Sequence, residues 1–283
     1  MNTFSQNLKP PTELILFGEV FVVLVVMLLI GMLIYRFKNG FFIPVSKPKT
    51  RLKFDITQED LVLKYYPFYA SLNIKYRLIF QDRCLRFLQS ISFKSPPDFH
   101  LLPEDKLLIV ASWIQVSFGF SNYKPAELKY ILVFKNYFFS TITKRQHKGE
   151  LNLGQGVIAF SLEDFMSDLK CHEEPNHLGF HEFSHLLHFH CMLHKSQSYA
   201  ARYCIHFMYL KQYLSKNNRL QSLKEAHFFR NYAFVNEVEF MAVLMENFFT
   251  NTDSFFEHHP ELFVRVQKML GVKAKYFLTA VKT

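Results

Sequence analysis

The residues best equipped for chemistry are His181-Glu182-Phe183-Ser184-His185, an H-E-x-x-H run. In a helix, positions i and i+4 stand one turn apart on the same face, so two imidazoles can hold one metal ion. The glutamate between them projects close enough to polarise a water beside that ion and shuttle its proton. The flanking residues predict a helix: His177 to Phe180 lead into the run and Leu186-Leu187 continue it without a proline. Seven of the thirteen histidines fall between His172 and His194. A His-rich, partly exposed helix with no catalytic metal is therefore the competing reading of these five residues alone.

A catalytic zinc needs a third protein ligand and an open fourth position. His188 lies nearly on the same face as His181, but one straight helix does not easily wrap three such imidazoles around one ion. A metzincin continuation fails as well, because it needs Gly at 188 and His at 191, where this chain has His188 and Cys191. The ligand is thus expected from another helix, and the best candidate is Glu239 within Asn236 to Phe249. Glu239, Val243 and Glu246 share one face there, beside the apolar Phe240, Leu244 and Phe248. Carboxylates facing into so apolar a helix need a partner charge, which a metal with its histidines provides. Glu246 would then orient a ligand imidazole. The alternative for Glu239 is a solvated helix residue.

The elements around these residues read as an α+β domain, mostly helical with a small sheet. Thr57-Gln-Glu-Asp resembles a helix start, and helical patterns follow over 74–90 and 104–118, the latter stopped by Gly119. Lys129 to Phe134 and Gly156 to Phe160 are short β-rich runs, and the polar stretch between them suggests a hairpin or an active-site edge. Further helices are expected near 178–192, 198–216, 236–250 and 258–270. Helices, then sheet, then helices argue against an alternating βαβ fold.

Leu14 to Tyr35 is a nearly unbroken apolar run with the length of a membrane-crossing helix, and its one charge is Glu19 near the start. Only Lys9 precedes it, whereas Arg36, Lys38, Lys47, Lys49, Arg51 and Lys53 follow. That bias places the bulk of the chain in the cytoplasm. The expected layout is a short segment 1–13, a transmembrane helix 14–35, a basic linker 36–55 and a catalytic domain 56–283. This predicts a single-pass protein of the cell (inner) membrane that contacts the lipid bilayer through 14–35.

The formal charge of +9 is spread along the 283 residues without a basic stripe or a nucleic-acid module, so no nucleic-acid partner is expected. Cys84, Cys171, Cys191 and Cys204 are far apart and form no C-x-x-C pair, which fits reduced thiols in a cytosolic domain.

Three blocks resemble the Mlc titration factor A family of zinc-dependent peptidases. They are PFYASL (67–72) with Phe87-Leu88 and KYILVF (129–134); GVIAFS (156–161) followed by NHLGFHEFSH (176–185); and YAFVNEVEFMAVLMENFF (232–249). The resemblance implies a zincin-like fold that holds one zinc ion per chain on His181, His185 and Glu239, with Glu182 as general base acting on a peptide or protein substrate. It also points to Tyr232 as a donor to the oxyanion. The family pattern H-E-F-A-H-x-L-D is not fully kept: Ser184 and His188 replace its alanine and its final acid, leaving Glu246 or His188 to orient a ligand. Two rival readings compete with the peptidase. One is a membrane-tethered binding protein that sequesters a cytoplasmic regulatory protein. The other is a metal buffer or sensor that recruits His172, His188, His190 and His194.

Overall fold

The computed structural model describes residues 20–32, 50–171 and 176–273. The chain divides into two compact units, 1–40 and 41–283. In the first, residues 20–32 form a helix, α1. Its apolar side chains are exposed along its length, from Val20 at 54% to Met32 at 57%. The ends of the expected 14–35 span, residues 1–13 and most of the expected linker lie outside the described residues. Among the described residues, no helix is long and apolar enough to cross a membrane.

The second unit opens with α2 (Ile56–Tyr65), one residue before the expected start, because Asp55 caps it. The Asp55 side chain accepts the Gln58 N–H at 2.8 Å, and the Gln58 side chain accepts the Asp55 N–H at 3.2 Å. This reciprocal capping box fixes the boundary. A short α3 (Pro67–Ser71) and a long α4 (Ile74–Ser90) follow, then β1 (Ser92–Lys94), α5 (Pro103–Val116) and β2 (Tyr130–Phe134). Next come β3 (Phe138–Phe139), β4 (Gln146–His147), β5 (Gly149–Asn152) and β6 (Val157–Ser161). The remainder is helical: α6 (Leu162–Lys170), α7 (Leu178–Leu193), α8 (Ser198–Leu214), α9 (Arg219–Glu225), a 3-10 turn (Asn231–Phe234), α10 (Glu237–Thr250), α11 (Thr252–His258) and α12 (Pro260–Leu270).

The main sheet has the order β1-β2-β6-β5. β1, β2 and β6 run parallel, and β5 pairs antiparallel with β6 as the edge strand. The α+β reading holds, with one difference: β1-α5-β2 is a crossover unit between parallel strands. β1 is three residues long, too short to leave a periodic signal in the sequence. Its crossover helix α5 is buried from Leu107 to Val116 because it packs among α2, α4 and α7 rather than lying on the surface.

Aromatic packing sets α7 in place. Phe183 lies 5.6 Å from Trp113 of α5 and 5.3 Å from Phe160 of β6, ring centre to ring centre, with all three fully buried. Phe180 meets Phe249 of α10 at 5.4 Å. The apolar positions inside and beside H-E-x-x-H thus anchor its helix to the sheet, to α5 and to α10, which leaves the histidine face turned toward α10. All four cysteines are free thiols.

Candidate metal centre

His181, Glu182 and His185 occupy the first half of α7, and Glu239 lies in the first turn of α10. Both helices are fixed locally. The His177 ring caps α7 by accepting the Phe180 N–H at 3.2 Å, and Asp168 of α6 accepts the Leu178 N–H at 2.7 Å. Asn236 caps α10 by accepting the backbone N–H of Glu239 itself at 2.9 Å.

The two imidazole Nε2 atoms are 3.1 Å apart, and Glu239 Oε2 lies 3.2 Å from that of His181 and 3.4 Å from that of His185. Metal–ligand bonds of the usual zinc length in a tetrahedron place ligand atoms about 3.3 Å from one another. The three distances match that triangle. Glu239 Oε2 is buried yet accepts no well-aligned hydrogen bond. The three ligand atoms therefore converge on a common point with Glu239 Oε2 left unpartnered, as a cation site requires. The donor set, two imidazoles and one carboxylate, suits zinc and neighbouring divalent metals.

The electrostatics agree. Burial would push the His181 pKa down, but Glu239 and Glu246 outweigh it and raise it to about 9. Burial would raise that of Glu239, yet His181 and His185 hold it well below the usual carboxylate range. Glu182 is buried, which raises its pKa against the opposing pull of His181 and His185. It lies under the sheet edge: a Cβ placed on Gly149 of β5 would come within 2.9 Å of Glu182 Oε1. Tyr232 sits in the 3-10 turn, 49% exposed, with its ring centre 6.0 Å from that of His181. Burial and the adjacent Glu239 carboxylate raise its phenol to about 12, so it remains a proton donor at neutral pH.

Of the two residues proposed to orient a ligand, Glu246 fits. Its Oε2 is 3.2 Å from His181 Nδ1, and its Oε1 accepts the His177 N–H. His188 points elsewhere, with Nδ1 2.9 Å from the Tyr203 hydroxyl and burial lowering its pKa to about 4. His172 lies outside the described residues. Sequence reasoning missed Arg230, which donates to Glu246 Oε2 at 2.7 Å and reaches His181 Nδ1 at 3.0 Å. It also missed Asp168 and the particular contact of Gly149, although the polar stretch that contains Gly149 was expected to form a hairpin or an active-site edge. A lone arginine in a loop carries no pattern, and the other two matter only through what folding brings beside them.

No curated protein matches this chain. The glucose-regulated metallopeptidase M90 family matches residues 46–270, which spans the second unit almost entirely and contains every residue of the centre. With that match, the chain belongs to the M90 metallopeptidases, the Mlc titration factor A family.

Proposed function

We propose that the chain is a zinc-dependent peptidase of the H-E-x-x-H type, with His181, His185 and Glu239 as ligands and Glu182 as general base. The observation that carries this is the near-equilateral triangle of ligand atoms, edges 3.1 to 3.4 Å, beside a buried carboxylate of raised pKa. Bound zinc supplies Lewis-acid chemistry, acidifying water and polarising an amide carbonyl. Glu182 takes the proton of the attacking water and returns it to the leaving amine. Its burial makes it a stronger base than an ordinary carboxylate, so it takes a proton from water more readily. Tyr232 donates its phenolic hydrogen to the developing oxyanion. Glu246, braced by Arg230, keeps the His181 proton on Nδ1 and so leaves the Nε2 lone pair free for the ion.

A cleft of about 600 Å³ opens between α8, α9 and the start of α10. Phe207, Leu210, Phe234 and Phe240 wall it, and Lys211 and Glu237 pair at 2.7 Å within its lining. We assign it to apolar side chains of the substrate. The exposed apolar face of α1, the longer run 14–35 and the basic residues that follow support membrane anchoring with the catalytic unit in the cytoplasm.

The test is hydrolysis of a mixed peptide library by the full-length chain, its Glu182→Gln variant and its Glu239→Ala variant, with zinc measured on each. Cleavage by the parent, full zinc without cleavage in Glu182→Gln, and depleted zinc in Glu239→Ala are expected. Cleavage surviving in Glu182→Gln would remove the general base, and full zinc in Glu239→Ala would remove the ligand. The anchor is tested separately: the full chain should resist alkaline extraction from membranes, and a chain lacking residues 1–40 should be released.

A further inference from the structure

The end of α7 carries another histidine pair, His190 in its last turn and His194 at its C-cap, again at i and i+4. Nine residues separate His181 from His190 and His185 from His194, about two and a half helical turns. The second pair therefore faces away from the first and meets a different element, the turn that precedes β2. Glu127 of that turn reaches both: its Oε2 is 2.7 Å from His190 Nδ1 and its Oε1 is 2.5 Å from His194 Nε2. Ligand atoms of the three residues all lie within 4.8 Å of one another, and the two His–Glu contacts are hydrogen bonds that an ion must open to the spacing of about 3.3 Å seen at the first centre.

We propose that Glu127, His190 and His194 form a second divalent-metal site, with zinc the best-matched ion for two imidazoles and a carboxylate. Three features make this cluster more than a pair of hydrogen bonds. First, its charge is unbalanced. Among the described residues Glu127 pairs with no lysine or arginine, and a 14% exposed carboxylate beside a nearly buried imidazole lacks a full counter-charge. Second, the ring of His190 is held in plane by stacking on Tyr199 at 5.5 Å, which presets its lone-pair direction. Third, access is graded: the His190 side chain is 2% exposed and that of His194 36%, so an ion can enter from solvent and complete its shell with water. Bound there, the ion ties the turn ahead of β2 to the last turns of α7, the helix whose first turns carry H-E-x-x-H. Its role is structural, and it stands independently of the peptidase reading.

The test counts zinc. Full-length protein is equilibrated with low-micromolar free zinc, separated from unbound metal and assayed by plasma mass spectrometry. Two zinc ions per chain are expected for the parent, and one each for His194→Gln, Glu127→Gln and His185→Gln. Glu127→Gln keeps a carbonyl acceptor for the imidazoles and His194 is at the rim, so neither substitution requires the core to rearrange. In the His185→Gln background, zinc should still raise the melting temperature, and adding Glu127→Gln should abolish that rise. One zinc in the parent, lost in His185→Gln and retained in the other two, would overturn the second site, reduce the cluster to a hydrogen-bonded clamp and leave the proposed peptidase intact.

Discussion

At the scale of single residues, the informative feature is how one imidazole is committed to one tautomer. His181 has a carboxylate near each ring nitrogen, Glu239 at Nε2 and Glu246 at Nδ1, both at 3.2 Å. Nδ1 cannot donate to Glu246 and accept from Arg230 at once. The buried Glu246 settles the conflict, because an ionised carboxylate can accept from both the ring and the guanidinium. Only that arrangement leaves the Nε2 lone pair for an ion. Glu246→Gln keeps a carbonyl acceptor for Nδ1 but removes the charge that holds Arg230. Zinc affinity should fall roughly 10–100-fold, the usual effect of losing a ligand's hydrogen-bond partner. Competition with a chromogenic chelator measures it, and an unchanged affinity would show that Glu246 merely fills space.

At the scale of elements, the site depends on the contact between the edge strand β5 and the helix α7. A Cβ at Gly149 would meet Leu178 Cδ1 at 2.7 Å, Glu182 Cγ at 2.8 Å and Glu182 Oε1 at 2.9 Å. These are side-chain atoms that can swing aside, so Gly149→Ala should cost little stability. What swings aside, however, is the proposed base, and a misplacement near 1 Å costs about 100-fold in rate. The expectation is a kcat reduced on that order, with zinc content and melting temperature nearly those of the parent. An unchanged kcat would mean that Glu182 does not work from this position. Such a contact is invisible in sequence, where Gly149 is one small residue in a polar stretch. The long elements were legible: α4 and α7 start at their expected residues, because apolar periodicity and clear breakers mark them. The approach of Glu239 to the two histidines was legible too, since a carboxylate in an apolar helix demands a counter-charge. The short pieces β1, α3 and the 3-10 turn were not, being shorter than the window in which a period can be seen. Asp168 and Arg230 were hidden for a different reason: each acts on an element distant in sequence, and only packing makes them neighbours.

At the scale of the whole molecule, the metal-free protein and the loaded protein should respond differently to pH. Without metal, the pKa of His181 is raised to about 9 from an ordinary value of 6.5, because Glu239 and Glu246 overcome its burial. A raised folded-state value means that protonated His181 stabilises the fold fully below pH 6.5, and that this support is lost as pH rises through 9. An ion at Nε2 must displace that same proton, so proton and metal compete for one position. Apparent zinc affinity should therefore increase about tenfold per pH unit between 7 and 8.5, reflecting one released proton. The metal-free fold weakens over that interval while the loaded fold does not, so the rise in melting temperature caused by zinc should be larger at pH 8.5 than at pH 7. Calorimetric titration in buffers of different ionisation heat counts the released protons directly. A pH-independent affinity would place the metal away from His181.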